Sequence, residues 1–219
     1  DRVPVCIERL TPEIAKGLLL PRTRTAHKGE NGSLLLVGGA PGMSGAIRLA
    51  AEAAFRAGAG LVRVATHPDS VDSVMAGRAE VMCHGTITPE ALEKLLVVSD
   101  AVVLGPGLGQ SDWAKRASAQ VLASELPVVV DADGLNLLSE IPQTRENWIL
   151  TPHPGEAARL LRTDTASVQL DRLGAAVSLA GTYGGVAVLK GAGTLVTTGV
   201  DSVSLCDRGN PGMATAGMG

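Results

Sequence analysis

The chain has 219 residues, 45% of them hydrophobic and 19% charged, with a formal net charge of −3. That length is expected to form one domain, residues 1–219, with a full core, and the composition excludes a disordered chain. The charge excludes a basic nucleic-acid footprint, and no apolar run approaches the roughly 20 residues that a helical membrane span needs.

The expected elements run in chain order as short apolar strands, glycine turns and helix-period segments. Residues 33–37, Ser-Leu-Leu-Leu-Val, read as a buried strand ending at Gly38 and Gly39. A helix over 45–57 follows, on which Arg48, Glu52 and Arg56 form one solvated stripe. Strands over 61–65 and 100–104 come next, the second ending in the string Gly105-Pro106-Gly107-Leu108-Gly109. Ser111 offers an N-cap for a helix to about residue 124, and Pro127 opens a strand that stops at Asp131. A strand over 148–150 leads into Thr151-Pro152-His153-Pro154-Gly155-Glu156 and a helix through Leu161. Leu170, Leu173, Val177 and Ala180 are expected to mark the inner face of a further helix. Residues 185–189 return to strand, and 194–197 with 202–206 are expected to close the sheet as a hairpin.

Strands alternating with helices predict an α/β fold, a mainly parallel central sheet flanked by helices on both faces. Ligands of such sheets bind outside the carboxyl ends of the strands, where these glycine turns fall along one expected rim. Aromatics are only 2%, which predicts an aliphatic core, and the 27 glycines cluster at the ends of apolar runs, as tight turns or backbone near a ligand require. Cys6, Cys83 and Cys206 stand far apart without a C-x-x-C pair, so neither a disulfide framework nor a zinc site is expected. With no signal-peptide pattern over residues 1–5, a cytoplasmic setting fits.

Two familiar nucleotide loops are excluded. No G-x-x-x-x-G-K-[ST] string is present, and the Gly105 string followed by Gln110 fails the last position of G-x-G-x-x-G. Weaker signals remain. Lys190-Gly191-Ala192-Gly193-Thr194 joins a cation to flexible backbone, suited to a nucleotide phosphate, or is a surface lysine beside a turn. His153, between two prolines, is a ligand contact or a structural histidine. Asp131 and Asp133 flank a strand end, and Asp133 either meets a ligand or caps a helix over 134–138. Lys28 is expected to be a solvated loop charge. Residues 210–219, Asn-Pro-Gly-Met-Ala-Thr-Ala-Gly-Met-Gly, read as an anion-binding loop that should run into a helix N-terminus.

Taken together, Gly38-Gly39 with Ser44-Gly45-Ala46, the Gly105 string, Asp131-Ala132-Asp133-Gly134-Leu135-Asn136, residues 151–156, 190–194 and 210–219 resemble the ADP/ATP-dependent NAD(P)H-hydrate dehydratase family. The resemblance implies a ribokinase-like fold and repair of hydrated NADH or NADPH. It implies substrate contacts at Ala46, Gly107, Gly109, Asp133, Asn136 and His153, and a nucleotide site at Lys190, Gly191, Ala192, Gly193, Thr194 and Gly219. ADP or ATP would donate the phosphoryl group, with Mg²⁺ held by its phosphates rather than by a protein ligand cluster. The family's catalytic aspartate is expected directly after Gly219, so the sequence to Gly219 is expected to lack its catalytic residue and turnover. Gly134, Ala216 and Met218 depart from residues common in the family without changing a charge. A homo-oligomer is expected, and an epimerase domain fused before Asp1 is a common family arrangement. Two alternatives stay open: a ribokinase-like kinase of a small molecule such as a vitamin precursor, and a nucleotide-binding module without catalysis.

Overall fold

The computed structural model describes residues 7–19, 21–215 and 217. Its strands are β1 (Ile7–Arg9), β2 (Ser33–Val37), β3 (Leu61–Thr66), β4 (Met82–Gly85), β5 (Ala101–Leu104), β6 (Val128–Val130), β7 (Trp148–Leu150), β8 (Val186–Leu189), β9 (Thr194–Gly199) and β10 (Ser202–Cys206). The helices are α1 (Pro12–Leu18), α2 (Ser44–Ala57), α3 (Val71–Met75), α4 (Pro89–Leu96), α5 (Asp112–Ala123), α6 (Asp133–Glu140), α7 (Pro154–Leu160), α8 (Thr165–Leu170) and α9 (Arg172–Tyr183). The chain divides into two units, Arg24–Leu137 and the pair Asp1–Thr23 with Leu138–Gly219.

In the unit Arg24–Leu137 the strands run in the order β6-β5-β2-β3-β4, every neighbouring pair parallel. Central β2 is buried nearly throughout, as a strand covered on both faces must be, and so is made of Leu and Val without alternation. Ile47, Ala51 and Ala54 of α2 pack with Leu36, Val62 and Val64 in one core cluster. The expected stripe on α2 is only partly right. Arg48 and Glu52 are half-buried, whereas Ala46, Leu49 and Ala53 are exposed, so the helix presents an apolar outer face.

In the second unit β7 and β8 are parallel, β8, β9 and β10 are antiparallel, and β1 adds parallel to β10. The expected hairpin is present, with Ser204 opposite Val196. The expected helix face over 170–180 is present only in part, Ala180 being buried and Val177 half-buried. Leu170 is 91% exposed and Leu173 also lies at the surface, while Ala176, Leu179, Ala180 and Tyr183 are buried. Asp171, at φ −132 and ψ 75, breaks the helix, and its carboxylate accepts the Gly174 N–H to start α9 in a new phase.

The core is not purely aliphatic either. Trp113, Trp148 and Tyr183 are all buried and hydrogen-bonded: Trp148 Nε1 donates to the Tyr183 carbonyl, and the Tyr183 hydroxyl to that of Leu160. Few aromatics, in this fold, are used as anchors whose polar tips are satisfied.

Candidate active site

The glycine turns of each unit lie at the carboxyl ends of its own strands. In the unit Arg24–Leu137, the turn after β2 is laced to the turn after β5. Gly39 N–H donates to the Pro106 carbonyl at 3.0 Å and Ala40 N–H to that of Gly107 at 2.6 Å. Gly107 has φ 60, and a Cβ there would lie 2.4 Å from the Met43 carbonyl and 3.2 Å from the Ala46 Cβ. Only glycine allows that approach, which sets Gly107 against the first turn of α2. Met43 gives this helix end no side-chain cap, and the Ala46 N–H turns back to the Met43 carbonyl at 3.2 Å.

Asp133 ties the next loop in. Its Oδ2 accepts the Gly109 N–H at 2.8 Å and its Oδ1 the Asn136 Nδ2–H at 3.3 Å. The carboxylate therefore reaches across to the Gly105 string. The alternative in which it caps a helix over 134–138 is corrected: α6 already includes Asp133, and Gly134 N–H donates to the Asp131 carbonyl. Ala46, Gly107, Gly109, Asp133 and Asn136 are thus linked through contacts within one unit. Lys28 is exposed, as expected of a solvated loop charge.

In the second unit His153 is the N-cap of α7. Its Nδ1 accepts the Gly155 and Glu156 N–H groups at 3.0 and 3.3 Å, and Glu156 Oε2 accepts the His153 N–H at 2.8 Å. This reciprocal capping box fixes the ring. With Nδ1 accepting, the neutral ring carries its proton on Nε2, which lies 3.4 Å from Glu156 Oε1 on a half-exposed side chain. Glu156 is buried, and its Oε2 stands 4.0 Å from Lys190 Nζ. The Lys190 N–H also donates to the Pro152 carbonyl at 2.9 Å, joining the histidine turn to the Lys190 loop.

Beyond Lys190, residues Gly191, Ala192, Gly193 and Thr194 line a cavity of about 570 Å³, with 207–211, Met213 and Ala214 opposite. That volume lies within the range of small-molecule sites. Lys190 is not among the lining residues; its ammonium is turned toward Glu156. Asn210 Oδ1 accepts the Gly212 N–H at 2.9 Å and caps a 3₁₀ turn over Pro211–Met213. Gly219, expected at the nucleotide, lies outside the described residues, as do Ala216 and Met218. Among the described residues no group of three or more His, Cys, Asp or Glu side chains could hold a metal ion.

One side chain of this site has no signal in the sequence. Arg172 opens α9, and its guanidinium donates to the carbonyls of Leu189, Lys190 and Gly193.

Residues 34–219 match the family model described as NAD(P)H-hydrate dehydratase. The ADP-dependent (S)-NAD(P)H-hydrate dehydratase of Neisseria meningitidis is 42% identical over 207 residues, which cover 90% of this chain and 69% of that protein. The chain belongs to the NAD(P)H-hydrate dehydratase family. A bifunctional NAD(P)H-hydrate repair enzyme of Coxiella burnetii is 54% identical over 92% of this chain, which spans 41% of that longer protein. Among solved structures, a ribokinase-like superfamily protein of Enterococcus faecalis superposes with a TM-score of 0.89 at 26% identity, covering 99% of this chain and 77% of the other. An ADP/ATP-dependent NAD(P)H-hydrate dehydratase of Bacillus subtilis, co-crystallised with ATP and Mg²⁺, gives a TM-score of 0.80 at 28% identity over 96% of this chain and 76% of its own. This dehydratase-family chain therefore has the ribokinase-like fold, a mainly parallel sheet flanked by helices.

Proposed function

We propose that the protein catalyses the ADP- or ATP-dependent dehydration of hydrated NADH and NADPH. Hydration of the reduced nicotinamide ring at C6 leaves a hydroxyl beside the ring nitrogen, and hydroxide leaves poorly at neutral pH. Transfer of a phosphoryl group to that oxygen makes it a leaving group. The nitrogen lone pair then expels phosphate and restores the ring. Such a reaction needs a carboxylate to take the hydroxyl proton, N–H donors around the transferring group and a cation to offset its charge.

The observation that carries this reading is the glycine-lined cavity next to Lys190, whose loop is hydrogen-bonded to the His153 turn through Pro152. In this proposal Lys190, Gly191, Ala192, Gly193, Thr194 and Gly219 serve the nucleotide. Ala46, Gly107, Gly109, Asp133, Asn136 and His153 serve the hydrate, and the family aspartate expected after Gly219 takes the proton. Mg²⁺ neutralises phosphate charge when bound with the nucleotide. The ADP dependence of the Neisseria relative and the ATP/Mg²⁺ complex of the Bacillus relative support the donor. A second activity on the same polypeptide and a homo-oligomeric assembly are part of the proposal, the first supported by the bifunctional Coxiella relative. A cytoplasmic setting is part of the proposal, and no described helix is long and apolar enough to cross a membrane.

The test is to incubate the natural full-length protein with hydrated NADH, Mg²⁺ and either nucleotide. Recovery of reduced-nicotinamide absorbance is expected; no recovery with ADP or ATP rejects the reading. A stable phosphorylated product would instead identify a small-molecule kinase.

A further inference from the structure

A cation at the first position of a helix faces the positive end of the helix dipole and is ordinarily turned out to water. Arg172 holds that position on α9 and is turned inward. Its Nη2 donates to the carbonyls of Leu189 at 3.2 Å, Lys190 at 3.4 Å and Gly193 at 3.2 Å, while Nη1 donates to Gln169 Oε1 at 3.2 Å. Leu189 ends β8 and Gly193 immediately precedes β9, so one planar group bridges the two stems of the Lys190 loop.

The loop is pinned a second time by Thr194. Its Oγ1 accepts the Gly191 N–H at 3.3 Å and donates to the Gly191 carbonyl at 3.1 Å. Between these two ties Gly191 is held at φ 149, where a Cβ would lie 2.9 Å from Arg172 Nη1. The guanidinium thus lies close against the loop backbone, and Gly191, Ala192 and Gly193 form part of the cavity wall. Three carbonyls drawn to one cation cannot also turn toward the cavity. The same placement puts a fixed positive charge behind the wall that a polyphosphate would approach. A lysine carries the charge but lacks the planar fork.

The geometry points to Arg172 as a positioning residue for nucleotide binding: it sets the path of the Lys190 loop and adds fixed charge for a nucleoside di- or triphosphate. This inference rests on the nucleotide reading of the cavity. Its test is therefore binding, separate from hydrate repair. Calorimetric titration of the natural full-length protein with Mg²⁺ and ADP is compared for wild type, Arg172→Lys and Arg172→Ala. Loss of these charge-assisted bonds is expected to weaken ADP binding about tenfold or more in Arg172→Ala, with Arg172→Lys intermediate. In the repair assay the nucleotide KM should rise while the hydrate KM stays within about twofold, a split that general loosening of the fold would not give. ADP affinity within about twofold of wild type in both variants overturns the inference, whatever their Tm. Should Arg172→Ala fail to fold, Arg172→Lys decides alone. Wild type that binds ADP but does not repair hydrate rejects the proposed reaction and leaves the Arg172 test standing; wild type that binds neither ADP nor ATP overturns both.

Discussion

His153 uses one ring nitrogen to cap α7 and leaves the other on a half-exposed face. Its two sequence alternatives, structural residue and ligand contact, are therefore compatible, and a substitution can separate them. Asparagine is a good N-cap, so His153→Asn should keep Tm while raising the hydrate KM; His153→Ala should also lose about 1 kcal/mol of stability. An unchanged KM in His153→Asn would leave the histidine as a cap alone. Lys190→Ala should weaken nucleotide binding about tenfold and lower Tm, because it also strips buried Glu156 of a cation 4.0 Å away. Unchanged affinity in a titration would reduce Lys190 to a partner of Glu156. Burial raises the Cys83 thiol from 9.0 to about 11, the His84 backbone bond opposing it only in part. At about pH 8 that leaves roughly a hundredfold less thiolate, so alkylation followed by mass spectrometry should find Cys83 slow beside a free cysteine; equal rates would contradict its burial. His153 and Lys190 were locatable from sequence because each sits in a contiguous motif. Arg172 was not, since its bonds reach 17 to 21 residues along the chain to backbone carbonyls, which carry no residue-type signal.

At the scale of elements, the strands of buried sheet were legible from their unbroken Leu and Val runs, and α5 from its Ser111 cap. The segment 165–183 was not, because a hydrophobic period assumes one continuous helix. Asp171 ends that continuity, so Leu170 and Leu173 fall out of phase with the buried set of α9. Leu170→Gln should accordingly change stability by no more than about 0.5 kcal/mol, whereas Leu179→Ala should cost about 2–5 kcal/mol, both read by denaturant unfolding. A large loss at Leu170 would mean that its face is covered. Among elements outside the expected set, β4 is a half-exposed edge strand with Cys and His in place of β-branched residues, so it lacks the signature of a buried strand. The helix α4 does carry a start signal, Thr88 accepting the Ala91 N–H ahead of Pro89.

Across the whole molecule, the glycine turns of each unit lie at the carboxyl ends of its own strands, where the ligands of parallel sheets gather. What that pattern could not supply was the internal wiring: Asp133 reaching Gly109 across the strand ends, and Glu156 standing between His153 and Lys190. Asp133→Ala, which removes the acceptor of the Gly109 N–H, should cost about 1–2 kcal/mol and raise the hydrate KM, checked by unfolding and by initial rates. Retained KM with lowered stability would confine Asp133 to holding its loop. The central claim concerns the reaction itself. Hydrated NADH, Mg²⁺ and ADP or ATP, supplied to the natural full-length protein, should yield restored reduced-nicotinamide absorbance and free phosphate in equal amounts. No restoration with either nucleotide, or phosphate held in a stable phosphorylated product, would contradict it.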